Sequence, residues 1–188
     1  DIYKQNNQKI IVGKIISGSL KKGEEIYFLP KRCKTRVKEI KIFGKKKKIA
    51  CKNENIGIII GKYTFLVNRG DIITSVNNTP DIVNQFCCNL FWLSKEPLKL
   101  NQQITVRSST QKANGIVVNI TNRIDTSSLE LITKTTNILN INETATVSFK
   151  TIEPVIIENF YQTPELGRII IEKNYTIQGI GIIDVNNQ

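Results

Sequence analysis

Apolar residues fall in short runs broken by Gly, Asn, Asp and Lys, and helical patterns of ten or more residues are largely absent. KIIVGKIISG (residues 9–18) is β-branched and interrupted by glycine, and LKKGEEIYFLP (20–30) turns at Lys22-Gly23 into a second strand. TRVKEIKIF (35–43) alternates imperfectly, with Val37, Glu39 and Lys41 opposing Lys38, Ile40 and Ile42. GKKKKIA (44–50), NENIGIIIG (53–61) and FLVNRGDIIT (65–74) add three more short elements. The second half reads the same way, through FCCNLFWL (86–93), QQITVRSS (102–109), KANGIVVNITNRI (112–124), SLELITKT (128–135), ETATVSFKT (143–151), PVIIENF (154–160), GRIIIEK (167–173) and YTIQGIGIID (175–184). Short strands with turn signals about every ten residues predict barrels, because closure hides edges that apolar strands would otherwise expose. The expected fold is all-β, two tandem small antiparallel β-barrels over 1–80 and 84–188. Their boundary lies near Thr79-Pro80, where NNTP marks a turn or linker.

Charge sharpens that division. Of 27 Lys+Arg and 16 Asp+Glu, 18 basic and 7 acidic residues fall in 1–85, so the whole net charge of +11 lies there. The four cysteines, Cys33, Cys51, Cys87 and Cys88, lack C-x-x-C spacing, and the chain has no histidine. Free thiols are therefore expected, with Cys87 and Cys88 on opposite strand faces. No run reaches the 18 apolar residues of a membrane span, and DIYKQNNQKI is not a signal peptide, so the expectation is cytoplasmic with no membrane partner. A start at Asp1 without methionine points to a fragment or a processed piece.

Catalytic chemistry finds little support. GIIIGK (57–62) has three residues between its glycines instead of four, and Tyr63 stands where a phosphate loop needs Ser or Thr. Without histidine there is no histidine-assisted nucleophile, and no carboxylate pair stands out. Asp71, after Arg69-Gly70, reads as a turn brace. No catalytic, cofactor or metal residues are expected in this chain. The conspicuous feature is basic: Lys45, Lys46, Lys47 and Lys48, preceded by Lys31, Arg32, Lys34, Arg36, Lys38 and Lys41. These residues, Arg36 and the four lysines above all, are candidate phosphate or acidic-partner contacts, or else a solvated hairpin tip. Only Tyr27, Phe28 and Phe43 lie nearby, too few aromatics to argue sequence-specific nucleic-acid recognition. Trp92, flanked by apolar residues, reads as core. Arg168 carries a planar fork suited to a carboxylate or to backbone carbonyls, and serves either structure or a neighbouring domain. Gly167 before it supplies a close approach or a positive φ.

Two terminal patterns carry a resemblance. FYQTPELGRIII…YTIQGIGII (160–183), with Pro164, Gly167 and Gly179, is similar to the close of the third domain of translation-type GTPases, a PxLGRF-like turn followed by a T-x-A-x-G-x-I-like strand. VGKIISGSLKKGEEIYFLP resembles the start of their second domain at Val12, Gly13, Ser17, Gly18, Leu20, Lys21, Gly23 and Glu24, with Lys14 where the family has arginine. The middle, through Trp92, Pro97-Leu98 and Ile124-Asp125, resembles the GTPase subunit of sulfate adenylyltransferase, whereas PELGR leans toward elongation factor 1 alpha and its release and rescue relatives.

The resemblance implies domains 2 and 3 of such a GTPase, with GTP and Mg2+ held by an upstream G domain whose motifs do not occur here. The first reading implied is a non-catalytic barrel pair coupling GTP turnover to a catalytic adenylyltransferase subunit that makes adenosine 5'-phosphosulfate. The alternative is the domain pair of a translation elongation, release or ribosome-rescue GTPase that binds tRNA or the ribosome.

Overall fold

The computed structural model describes residues 1–5, 8–61, 67–132 and 137–184. It divides into two compact units, Asp1–Pro80 and Asp81–Gln188.

The first unit contains β1 (Ile2–Gln5), β2 (Gln8–Lys14), β3 (Ser19–Lys21), β4 (Glu25–Leu29), β5 (Cys33–Ile42), β6 (Lys45–Lys47), β7 (Ile49–Cys51), β8 (Asn55–Ile60) and β9 (Ile72–Ser75). The sheet runs β1-β2-β8-β5-β4-β9, with β6 added to β5 and a separate β3–β7 ribbon. Strand β5 serves both halves, pairing with β4 through Cys33–Arg36 and with β8 through Val37–Lys41, and a bulge lies between Val37 and Glu39. The extra residue changes the strand's phase, so Val37 and Ile40 both face the core. That is why the alternation in TRVKEIKIF looked imperfect.

The ends of this sheet, β1 and β9, do not pair among the described residues, and this overturns the expectation of two closed barrels. The physical reason lies in KIIVGKIISG. Strand β2 stops at Lys14, and the chain then turns away through Ile15–Gly18 to pair as β3 with β7. Gly18 sits in this turn at φ 66 and Gly23 in the next at φ 89, a backbone region that side chains with a Cβ seldom adopt. Ile26, Phe28, Val37, Ile40, Ala50 and Ile58 form the core beneath the sheet.

The second unit contains β10 (Asp81–Trp92), β11 (Leu98–Lys99), β12 (Gln103–Ser108), β13 (Gln111–Asp125), β14 (Ile138–Leu139), β15 (Glu143–Ile157), α1 (Pro164–Gly167), β16 (Arg168–Lys173) and β17 (Thr176–Ile182). Six of these strands close into an antiparallel barrel, β10-β15-β13-β12-β16-β17, with β10 pairing with both β15 and β17. ETATVSFKT and PVIIENF, separate in the sequence reading, join as the single strand β15. The Asn84 side-chain amide donates to the carbonyls of Thr151 and Ile152, and Gln111 exchanges two hydrogen bonds with the Ile156 backbone. These side chains satisfy backbone groups beside Pro154, which has no N–H of its own to give.

Trp92, Phe86, Phe149, Leu90, Val147 and Ile171 fill the barrel. Cys88 lies in this core, where burial raises its thiol pKa, while Cys87 faces Ser148 at 3.0 Å. None of the four cysteines is joined in a disulfide among the described residues. Of SLELITKT, the described part makes one isolated bridge, Ile124 to Leu131, and Thr133–Thr135 lie outside the described residues. Lys62 and Tyr63 of the glycine-loop comparison, and Phe65 and Leu66, also lie outside them. No helix among the described residues is long and apolar enough to cross a membrane.

Candidate functional site

The unclosed side of the first unit holds a cavity of about 270 Å³. Its floor is apolar, from Ile11, Ile26, Ile56 and Ile58. Its rim comes from the Lys14–Leu20 turn, Glu24 and the β9 segment Ile73–Ser75 with Asn78. The rim thus joins hydroxyls (Ser17, Ser19, Thr74, Ser75), an amide and one charge of each sign. Glu24 is fixed in place because its carboxylate accepts the Lys21 N–H at 2.8 Å. An apolar floor with few convergent polar groups suits a flat or partly apolar group with polar edges.

Around this unit the basic residues separate into two sets. Arg36 and Lys34 sit on exposed positions of β5 and share Glu25, at 3.4 and 2.9 Å. The Lys34 hydrogen bond and charge hold the Glu25 carboxyl below its ordinary value, and the hydrogen bond to Glu25 and its charge raise the Lys34 ammonium. Lys45, Lys46 and Lys47 line β6 opposite Ile42, Lys41 and Ile40 of β5, four to six residues and about 13–20 Å of strand from Arg36. The structure therefore does not gather Arg36 with the lysine run. Lys46 reaches Glu39 at 3.2 Å, Lys47 pairs with Glu54 and depresses its carboxyl, and Lys45 and Lys48 make no ion pair among the described residues. Glu39 also lies 3.9 Å from Lys41.

Between Ile42 and Lys45 the turn presents Phe43, 99% exposed. Of the three nearby aromatics Phe28 is buried and Tyr27 half-buried, so Phe43 is the one displayed. Sequence reasoning missed this. The available signal was an aromatic directly before Gly44 at a lysine-flanked hairpin tip.

In the second unit the PELGR residues build one corner. Pro164 occupies the first turn of α1, where its missing N–H costs nothing. Gly167 is required by close approach and not by a positive φ: a Cβ there would stand 2.3 Å from the Phe160 Cα. Arg168 then lies over the Phe160 ring at 5.6 Å, with Phe160 edge-on to the exposed Tyr161. Gly179 likewise makes room, since a Cβ would meet the buried Trp92 ring at 2.8 Å. The Trp92 indole N–H donates to the Glu96 carbonyl at 2.8 Å. At the barrel's other polar point, Arg123 and Glu143 form a buried pair at 2.8 Å. Burial opposes ionisation of Glu143, but hydrogen bonds from Asn140 and from Arg123 outweigh it and leave the carboxyl below its ordinary value. Among the described residues no group of three or more acidic, Cys or His side chains is placed to hold a metal.

A sequence profile described as GTP-eEF1A C-terminal domain-like matches residues 85–184. The chain belongs to this family. Ahead of the family's region, a profile for elongation factor Tu domain 2 matches residues 8–74, so the two profiles follow each other in the order of the two units.

Its relatives include proteins of two kinds. Sulfate adenylyltransferase subunit 1 of Alteromonas mediterranea is 29% identical over 169 residues, 90% of this chain and 35% of that protein. Elongation factor 1-alpha of Ignicoccus hospitalis is 26% identical over 174 residues, 92% of this chain and 39% of the relative. The chain thus spans little more than a third of the length of these curated relatives. In fold it is similar to a crystal structure of sup35 complexed with GDP, with a TM-score of 0.89 at 18% identity, covering 98% of this chain and 45% of the other.

Proposed function

We propose that this chain is the non-catalytic domain pair of a translation-type GTPase, and that its first unit binds RNA, either tRNA or ribosomal RNA. The observation that carries this reading is the confinement of the net charge of +11 to the first 85 residues, in a unit that also opens into a cavity. Phosphate neutralisation supplies affinity in proportion to the cations engaged, whereas a cavity with an isoleucine floor and hydroxyl rim accommodates the base and ribose of an RNA end. The second unit, with equal numbers of basic and acidic residues beyond residue 85, serves as a rigid body that transmits movement and does not bind polyanions. Titrating labelled tRNA into the 188-residue chain at increasing salt tests this. Binding should weaken linearly in log–log form, and absence of binding at low salt would sink it.

The 29% identity to a sulfate adenylyltransferase subunit supports a second reading, coupling of GTP turnover to an adenylyltransferase catalytic subunit. Expression in the source cell with the flanking sequence distinguishes the two. Copurification of that catalytic subunit, with GTP hydrolysis stimulated by ATP and sulfate, would replace the RNA reading.

A further inference from the structure

We infer that the β5–β6 hairpin is a stacking contact for unpaired nucleobases, with Phe43 as the platform and Lys45 and Lys46 as phosphate contacts. This rests on the RNA reading above and names the part of the surface that touches bases.

Neither the turn nor the core accounts for Phe43. It adopts φ 47 and is followed by Gly44 at φ 78, so both central residues of the two-residue turn lie in the left-handed region. Such turns favour Asn-Gly or Asp-Gly, and a bulky side chain at positive φ is disfavoured by crowding of its Cβ. The ring is 99% exposed, so burial returns nothing for that strain. Around it the register places Lys45 opposite Ile42 and Lys46 opposite Lys41. Glu39 is the only carboxylate between Lys38 and Lys48.

The β16–β17 hairpin supplies an internal contrast. Tyr175 is also at its tip, at φ 62 and 89% exposed, but Lys112 lies over its ring at 5.9 Å. Tyr175 has a partner within its own unit, whereas Phe43, in the basic unit, meets no ring or cation partner among the described residues. Ile40 is buried and Ile42 half-buried, which leaves one ring as the apolar surface of the tip. One ring flanked by lysines stacks on one base, whereas a bilayer needs a wider apolar face.

The test is a Phe43→Trp variant of the 188-residue chain titrated with single-stranded oligoadenylate. Trp92 is buried and contributes a constant background. Saturable quenching of the new indole by oligoadenylate, with none on adding inorganic polyphosphate, is expected. Phe43→Ala should weaken oligoadenylate binding at least about 5-fold with the salt slope unchanged. Lys45→Gln with Lys46→Gln should reduce the slope by about 0.7 per lysine. Oligoadenylate binding that is unaffected by Phe43→Ala and gives no quenching would overturn the stacking contact while leaving the RNA reading in place. No RNA binding by the unaltered chain would remove both. A blue shift on phosphatidylserine vesicles without quenching by RNA would also overturn it, in favour of a membrane surface.

Discussion

The second unit closes six strands around Trp92, Phe86 and Phe149, buries an ion pair, and has no excess charge in its sequence beyond residue 85. The first leaves the ends of its sheet unpaired among the described residues, holds ion pairs such as Lys34–Glu25 at exposed positions, and carries all the excess positive charge. Closure satisfies every sheet edge but fills the interior with side chains, so a small closed barrel has little room for a ligand. In the first unit the chain leaves β2 at Ile15 and opens a cavity at the place where closure would have occurred. The unit that gives up regularity is the one with space and charge for a partner.

Substitutions that probe the two units should separate them. The largest effect is expected from Arg123→Ala, which strands the buried Glu143 carboxylate and should destabilise the barrel by about 3–5 kcal/mol. Urea unfolding followed by Trp92, the one tryptophan, reports it. Gly179→Ala pushes a methyl against the Trp92 ring and should cost about 1–3 kcal/mol by the same probe. The same change at Gly13 in the first unit meets no atom within 4 Å and should alter stability by no more than about 0.5 kcal/mol, measured by calorimetry. Acid should distinguish the units next. The Glu143 carboxyl titrates below its ordinary value of 4.5, so its contribution is complete above that pH and is lost as pH falls through the lower folded value. Glu143→Gln should flatten the acid side of the Trp92-monitored stability profile. The smallest effect belongs to Glu25→Gln on the first unit's surface, where solvent screens the pairs with Lys34 and Arg36 and calorimetry should find no measurable change.

Strand character was legible because β-branched runs and turn residues punctuate the chain regularly. Closure was not, since it depends on which edges find each other, and nothing in KIIVGKIISG announces that pairing stops at Lys14. The bulge at Val37/Glu39 was visible only as a defect in alternation. Pro164 and Gly167 marked the turn before β16, but the reason for Gly167, contact with Phe160 seven residues earlier, is tertiary. The lysine run stood out by composition. Its separation from Arg36 required the length of β5, and the display of Phe43 required the turn geometry.

The most direct measurement is the affinity of the 188-residue chain for tRNA as a function of salt, comparing the unaltered chain with one carrying Lys45→Gln, Lys46→Gln and Lys47→Gln. Tight binding at low salt, with a slope that falls in magnitude when the three lysines are replaced, is the expected result. Absence of binding at low salt, or a slope indifferent to those lysines, would contradict the assignment of RNA binding to the basic first unit.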